Sequence, residues 1–256
     1  MSLLSIKQLT KNYTGEVTVE VLKGIDLTVK KGEMVAIMGP SGSGKTTLLN
    51  CIATFDQPTT GEILLENENP HLYNKNRLAD FRRHKLGFVF QQYNLLAPLT
   101  VIENIVLPLT LDGEKPAFML KKAEDLLDEL GISALRDKRI YQLSGGEMQR
   151  VAICRALIHD PALILADEPT GNLDSKSADD VMALLSQLNF ERHVTTLMVT
   201  HDPFAASYCH RVVFIKDGRF YNEIYLGENR DEFYQKILTV LSHLGGRSRE
   251  LLQADY

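Results

Sequence analysis

The sequence predicts an α/β fold whose central sheet is mostly parallel and covered by helices on both faces. Short apolar runs alternate with stretches of helical spacing along most of the chain, the pattern of strands joined by crossover helices. Several of those runs, "MVAIMG" and "ALILA" among them, are apolar without alternation, as strands buried on both faces are. The composition, 44% hydrophobic and 24% charged over 256 residues, supplies enough apolar surface for a sizeable core in one domain or in one domain with a smaller lobe.

In "GIDLTVKKGEMVAIMG", Ile25, Leu27 and Val29 alternate with polar residues, "KKGE" turns the chain, and "MVAIMG" forms a short buried strand. "SGSGKTTLLNCIATF" then opens a helix and "GEILLEN" resumes as a strand. "NRLADFRRHKLGFVFQ" reads as a short polar helix followed by a strand ending at Gln91. The next segment, "QYNLLAPLTVIENIVLPL", is apolar and broken by proline. "KPAFMLKKAEDLLDELGI" has Leu120, Ala123, Leu127 and Leu130 at helical spacing, with Gly131 as its stop. The helix in "EMQRVAICRALI" places Val151, Cys154 and Ile158 on one face. "PALILADEPT" is a buried strand ending in acids, "SADDVMALLSQLN" a helix and "VTTLMVTHD" another buried strand. "RVVFIKDGRF" closes as a hairpin on Asp217-Gly218. Phe233, Ile237, Val240 and Leu244 give the tail a helical stripe, and "RSRELLQADY" after it has no fold signal.

The net charge of −5 gives no basic footprint for nucleic acid. No run reaches the roughly 18 to 20 apolar residues of a membrane helix, and the N-terminus turns polar too soon for a signal peptide. Cys51, Cys154 and Cys209 are far apart and form no CxxC pair, as expected of buried free thiols in a reducing cytosol.

Two motifs carry chemistry. "GPSGSGKTT", Gly39, Pro40, Ser41, Gly42, Ser43, Gly44, Lys45, Thr46 and Thr47, fits GxxxxGK[ST] between a strand and a helix. Its glycines let backbone N–H groups close around phosphate oxygens, and the helix N-terminus favours negative charge. Lys45 is placed to reach the outer phosphates and the Thr46 hydroxyl to ligate Mg²⁺. In "LILADEPT", apolar residues run into Asp167 and Glu168 at a strand C-terminus, where parallel sheets bind ligands. Asp167 suits a water-mediated Mg²⁺ contact, and Glu168 a base that deprotonates the attacking water.

"GPSGSGKTT", Gln91, "LSGGEMQR", "LADEPTGNLD" and "VTHD" occur in this order. Together they resemble the ATP-binding subunit of an ABC transporter over residues 1 to about 225. The resemblance implies a P-loop ATPase fold with an N-terminal antiparallel β lobe and a helical signature lobe, the helical insert lying at about 92–160. It also implies a head-to-tail dimer that encloses two ATP molecules with Mg²⁺. Ser144, Gly145 and Gly146 of one copy, with Asp174, would then complete the nucleotide site of the other. Tyr13 resembles the aromatic that stacks on adenine, Gln91 a Mg²⁺ ligand that reports the γ-phosphate, and His201 the switch histidine. Glu147 stands where glutamine is the more familiar residue, and it is expected to point away from the phosphate.

"FQQYNLLAPLTVIENIVLPL", "DEPTGNLDSKSA", "VTHDPFAASYCHRVVFIKDG" and "EFYQKILTVLSHLGG" further resemble the ATPases of bacterial transporters that resist bacitracin and other cell-wall-directed peptides. That resemblance implies a cytoplasmic polypeptide held at the inner face of the membrane by a separate permease. Lipoprotein-release and cell-division ATPases have similar cores and remain open. A soluble ABC ATPase acting on ribosomes or DNA is the third reading; such proteins pair two nucleotide domains in one chain or carry a long coiled-coil insert, and this chain does neither. Residues 226–256 form a C-terminal extension that packs on its own domain or meets the permease or the second ATPase copy.

Overall fold

The computed structural model describes residues 2–15 and 17–244, so the "RSRELLQADY" tail lies outside the described residues. In chain order the elements are β1 (Ser2–Tyr13), β2 (Val19–Lys30), β3 (Met34–Met38), α1 (Lys45–Ile52), β4 (Thr60–Leu65), α2 (Lys75–Lys85), β5 (Leu86–Phe90), α3 (Val101–Leu111) and α4 (Pro116–Glu129). There follow α5 (Gly145–Leu157), β6 (Leu163–Asp167), α6 (Ser175–Arg192), β7 (Thr196–Val199), α7 (Pro203–Ala206), β8 (Arg211–Lys216), β9 (Arg219–Tyr225) and α8 (Arg230–Leu244). They fall into two compact units, one of Met1–Lys30, Met34–His71 and Val199–Tyr256, the other of Lys31–Glu33 and Leu72–Met198.

In the first unit, β2, β1 and β4 form an antiparallel sheet with β1 in the middle. Alternation drives it: Leu4, Ile6 and Leu9 of β1 and Ile25, Leu27 and Val29 of β2 are buried. β3 is buried along its whole length and pairs in parallel with β8. The β8–β9 hairpin turns on Asp217 at φ 51° and Gly218 at φ 78°, the two positive angles of a type I′ turn. α8 packs against α7 and β9 through buried Phe233, Ile237 and Leu244, each such burial worth about 1.5–3 kcal/mol. Val240 of the predicted stripe is only half-buried, because it lies toward the margin of that face.

In the second unit, β5 and β6 pair in parallel from Leu86↔Leu163 to Phe90↔Asp167, with β7 on the other side of β6. The strand expected to reach Gln91 ends one residue earlier, at Phe90, where the chain turns. α3, α4 and α5 pack together, and α5 lies on β5. Since α5 has neighbours on several sides, it buries Ala152, Ile153, Ala156 and Leu157 as well as Val151 and Cys154, rather than a single face. On α4, Leu126 replaces Leu120 in the buried stripe; Leu120 faces out.

The expectation of a proline-broken segment after Gln91 holds at Pro98, which lies in the turn ahead of the next helix, and is overturned at Pro108. α3 runs continuously from Val101 to Leu111 with Pro108 inside it. A capping box starts it: Thr100 Oγ1 accepts from Glu103 N, and Glu103 Oε2 accepts from Thr100 N. Val101, Ile102, Ile105 and Leu109 bury one face, which outweighs the single backbone hydrogen bond that the proline removes.

Candidate functional site

The first unit carries the phosphate loop, and packing on each side dictates its glycines. A Cβ on Gly39 would lie 2.0 Å from the Ile215 carbonyl oxygen, and one on Gly44 2.8 Å from Leu22 Cδ2. Gly42 meets nothing within 4 Å but holds φ at 76°, in the left-handed region. Gly44 is the N-cap of α1 and offers no side chain to cap it, and the first turn holds no acid. The orphan N–H groups of that turn and the positive end of the helix dipole therefore have no internal anion. Buried Leu48, Leu49 and Ile52 anchor the helix behind the loop. The Lys45 ammonium donates to the carbonyls of Gly39 and Pro40, at 2.9 Å each, and so folds over the loop. Ser43 Oγ is buried within it and has no hydrogen-bond partner among the described residues. Pro40, Ser41 and Thr46 are exposed, and Thr47 is half-buried.

Within this unit Tyr13 reaches the same loop, and His201 follows a strand that runs beside it. The Tyr13 hydroxyl donates to Asp56 and lies near Thr47; its ring is half-exposed, with Lys11 Nζ 4.7 Å from the ring centroid. The hydrogen bond to Asp56, then burial, pushes the Tyr13 phenol above its ordinary range. Burial works against the Asp56 carboxylate, but Lys11 and Tyr13 outweigh it and hold the carboxyl below its ordinary range. Thr200 N donates to the Ile37 carbonyl, so His201, next in sequence, leaves its strand beside the end of β3 that opens the loop. Thr200 Oγ1 accepts from Asp202 N and Asp202 caps α7, which fixes the turn on which exposed His201 sits.

The second unit carries the acids and the signature. Register pairs Phe90 with Asp167, so Gln91 and Glu168 leave neighbouring strands at the same end. Glu168 sits at φ 48°, an uncommon left-handed angle for a residue with a side chain. Gln91 Nε2 donates to Asn172 Oδ1 at 3.2 Å, and Asn172 Nδ2 donates back to the Gln91 carbonyl at 2.9 Å, which leaves the amide oxygen of Gln91 for a cation. Gln91 and Asp167 offer amide and carboxylate oxygens in this unit, as Thr46 offers a hydroxyl in the first, and each is a hard donor of the kind that suits Mg²⁺. Buried Gln149 of α5 donates to the Pro169 carbonyl at 2.7 Å and ties the signature helix to the acidic turn.

Ser144 is the N-cap of α5 and forms a second capping box: its Oγ accepts from Glu147 N at 3.3 Å, and Glu147 Oε2 accepts from Ser144 N at 2.7 Å. The Glu147 carboxylate is thus turned back onto the signature itself. Gly145 and Gly146 are pressed against the start of α6, where added Cβ atoms would meet Leu173, just before the helix, at 3.1 Å and Ser177, in its first turn, at 3.3 Å. Asp174 caps α6, accepting from both Ser177 N and Ser177 Oγ; those bonds hold its carboxyl below the ordinary range.

Some of the supporting residues do not stand out in the sequence. Lys11 and Asp56 hold Tyr13, and Asn172 holds Gln91, although "GNLD" contains Asn172. Arg155 donates to the carbonyls of Tyr93 and Asn94, pinning the turn after Gln91 where both residues have positive φ. Asn94, four residues beyond the end of a strand, is the one sequence cue to that turn.

A model of the ABC transporter family matches residues 22–171. The chain is 57% identical over 250 residues to the ABC transporter ATP-binding protein YxdL of Bacillus subtilis, covering 98% of this chain and 97% of that one. It is 48% identical over 248 residues to the bacitracin export ATP-binding protein BceA of Halalkalibacterium halodurans, covering 96% of this chain and 98% of that one. Among solved structures it resembles the dimeric structure of the cassette MJ0796 of Methanocaldococcus jannaschii, with TM-score 0.80 and 42% identity over 88% of this chain and all of that one. MJ0796 has also been solved as a dimer in a post-hydrolysis state bound to ADP and phosphate. A mostly parallel sheet, an antiparallel lobe, a helical signature lobe, the phosphate loop and the family match converge on one assignment: the chain belongs to the ABC transporter family, as one of its ATP-binding, ATP-hydrolysing subunits.

Proposed function

We propose that this subunit powers a transporter that protects cells from bacitracin-like peptides, working as a head-to-tail dimer bound to a membrane permease at the inner face of the membrane. The observation that carries the peptide assignment is the likeness to the bacitracin export protein along nearly the whole of both chains, including most of the C-terminal extension beyond about residue 225. No helix among the described residues is long and apolar enough to cross a membrane, so a permease would supply the path. The partly exposed apolar segment around Leu96 would receive it.

Chemically, the backbone donors of Gly39–Thr47 and the Lys45 ammonium hold the β- and γ-phosphates, with Tyr13 against the adenine. The buried, unpartnered Ser43 hydroxyl and the open approach at Gly42 support that fit. Thr46, Gln91 and Asp167 would hold Mg²⁺, which neutralises charge on the phosphate oxygens. Glu168 takes a proton from water as its oxygen bonds to the γ-phosphorus. The bond from that phosphorus to the bridging oxygen breaks, its electron pair leaving with ADP, and phosphate is released. His201 positions the γ-phosphate. Ser144, Gly145, Gly146 and Asp174 of the second copy close the site, so that binding and hydrolysis switch the dimer between closed and open states.

The test is genetic and biochemical together. In cells lacking this chain, the wild-type gene should restore growth in bacitracin. Glu168→Gln should not, although the purified variant still binds ATP and hydrolyses it about 10²-fold or more slowly. Unchanged bacitracin sensitivity with accumulation of unreleased lipoproteins would instead favour the lipoprotein-release reading. Normal turnover by Glu168→Gln would remove that residue from its role.

A further inference from the structure

Away from the nucleotide machinery, three helix C-termini of the second unit meet at one point. His84 lies in the last turn of α2, Asp112 is the C-cap of α3, and His159 follows Ile158, the C-cap of α5. Each helix end presents outward carbonyls equivalent to roughly half a negative charge, so their convergence favours a cation. His84 Nε2 lies 2.9 Å from Asp112 Oδ2, and His159 Nε2 lies 3.4 Å from the same oxygen.

Each ring has its Nδ1 proton committed elsewhere. His84 Nδ1 lies 2.9 Å from the Asp80 carbonyl oxygen. His159 is hydrogen-bonded to the Pro108 carbonyl, and since its Nε2 has no hydrogen-bond partner among the described residues, Nδ1 makes that bond. A carbonyl oxygen only accepts, so each Nδ1 carries a hydrogen and each Nε2 is the ring nitrogen left to face Asp112. Two imidazole nitrogens therefore face one carboxylate oxygen, and the 2.9 Å hydrogen bond between His84 Nε2 and Asp112 Oδ2 places a single proton among the three groups. The His159 side chain is only 10% exposed and Asp112 only 14%, so solvent does not relieve this arrangement, whereas His84, at 48%, leaves one side open. The Arg83 guanidinium takes the other Asp112 oxygen and lies 3.9 Å from Asp80. Lys122 acts on His159 from farther off and is itself paired with Asp160.

We propose that His84, Asp112 and His159 form a binding site for a divalent transition-metal ion, with zinc as the best-fitting ion. Two imidazole nitrogens and one carboxylate oxygen are the donor set of zinc-type sites, whereas Mg²⁺ and Ca²⁺ take oxygens. Tetrahedral donors at 2.0–2.1 Å from zinc lie about 3.3 Å from one another. The separations of 2.9 and 3.4 Å bracket that value, and all three donor atoms already lie within 4.8 Å of one another. The Nδ1 bonds to Asp80 and Pro108 are the outer contacts that orient metal-binding imidazoles. Arg83 opposes a cation electrostatically but occupies Oδ1, which confines Asp112 to one-oxygen ligation. A single proton serves one ring and leaves the other lone pair bare; a metal ion serves all three groups. β5 follows directly on α2, and β6 begins at Leu163, four residues after His159. An ion here would clip together the starts of the two strands that carry Gln91, Asp167 and Glu168 at their far ends.

The experiment uses the full-length chain without an affinity tag and with Mg²⁺ in excess. Wild type is expected to take up one equivalent of Co²⁺ with the intense visible bands of a tetrahedral site, to exchange it for Zn²⁺, and to melt at higher temperature when Zn²⁺ is bound. His84→Ala changes the most exposed of the three and should fold normally. It should lose the bands and weaken Zn²⁺ binding by at least about tenfold, the loss that even an outer partner causes. Asp112→Asn should do the same. Absence of the bands in wild type, including the case where the two imidazoles simply titrate with protons, overturns the proposal. So do equal bands and affinity in His84→Ala, which would place the metal elsewhere, for example at the thiols.

Discussion

Gly39 and Gly171 look alike in sequence, each a glycine beside a functional residue, yet a methyl group would do different things at the two. At Gly39 it would strike the rigid Ile215 carbonyl at 2.0 Å. At Gly171 the nearest atom, 2.7 Å away, is Gln91 Nε2, the end of a flexible side chain. Gly171→Ala is therefore expected to fold with stability within about 0.5 kcal/mol of wild type while displacing Gln91 from Asn172. Mg²⁺-dependent hydrolysis should fall with ATP affinity almost unchanged, and parallel titration and turnover assays separate the two; equal loss of both would mean that Gln91 matters only for binding. The motif residues Gly39 to Thr47, Asp167 and Glu168 are legible in the sequence because their chemistry depends on short spacing. Lys11, Asp56 and Asn172 are not, because each works through a contact 43 to 81 residues away along the chain.

Among the elements, α3 shows how a local rule can be read and then outweighed. Pro108 suggests a break, and propensity alone charges about 3 kcal/mol for proline within a helix. The Thr100–Glu103 box and the buried face of Val101, Ile102, Ile105 and Leu109 carry the helix through. The box is visible in "TVIE", but its meaning depends on a helix that the proline argued against. Thr100→Ala should cost about 1 kcal/mol in urea unfolding; no measurable loss would show that packing alone fixes the helix start. The alternating strands and the Asp217-Gly218 hairpin were legible because period and turn chemistry agree. On α4 the spacing was right but the face was off by one neighbour, since Leu120 and Leu126 are equally apolar and only the packing partners distinguish them.

For the whole molecule, the proposed functional unit is a pair of chains, and two damaged copies can test this. Lys45→Ala should disable the phosphate loop, and Ser144→Arg should spare nucleotide binding but block closure. In a mixture, a heterodimer regains one undamaged composite site only if loop and signature come from different chains. Mixing the two inactive proteins should thus restore hydrolysis, and silence of the mixture while both remain folded would argue for sites completed within one chain. The capped signature has a kinetic corollary. Ser144 Oγ holds α5 as an acceptor, through a lone pair, so its own hydrogen stays available to an approaching anion. The helix start need not be dismantled when the partner arrives. Closure should then follow simple second-order kinetics without a lag, limited by the meeting of two molecules already shaped to fit.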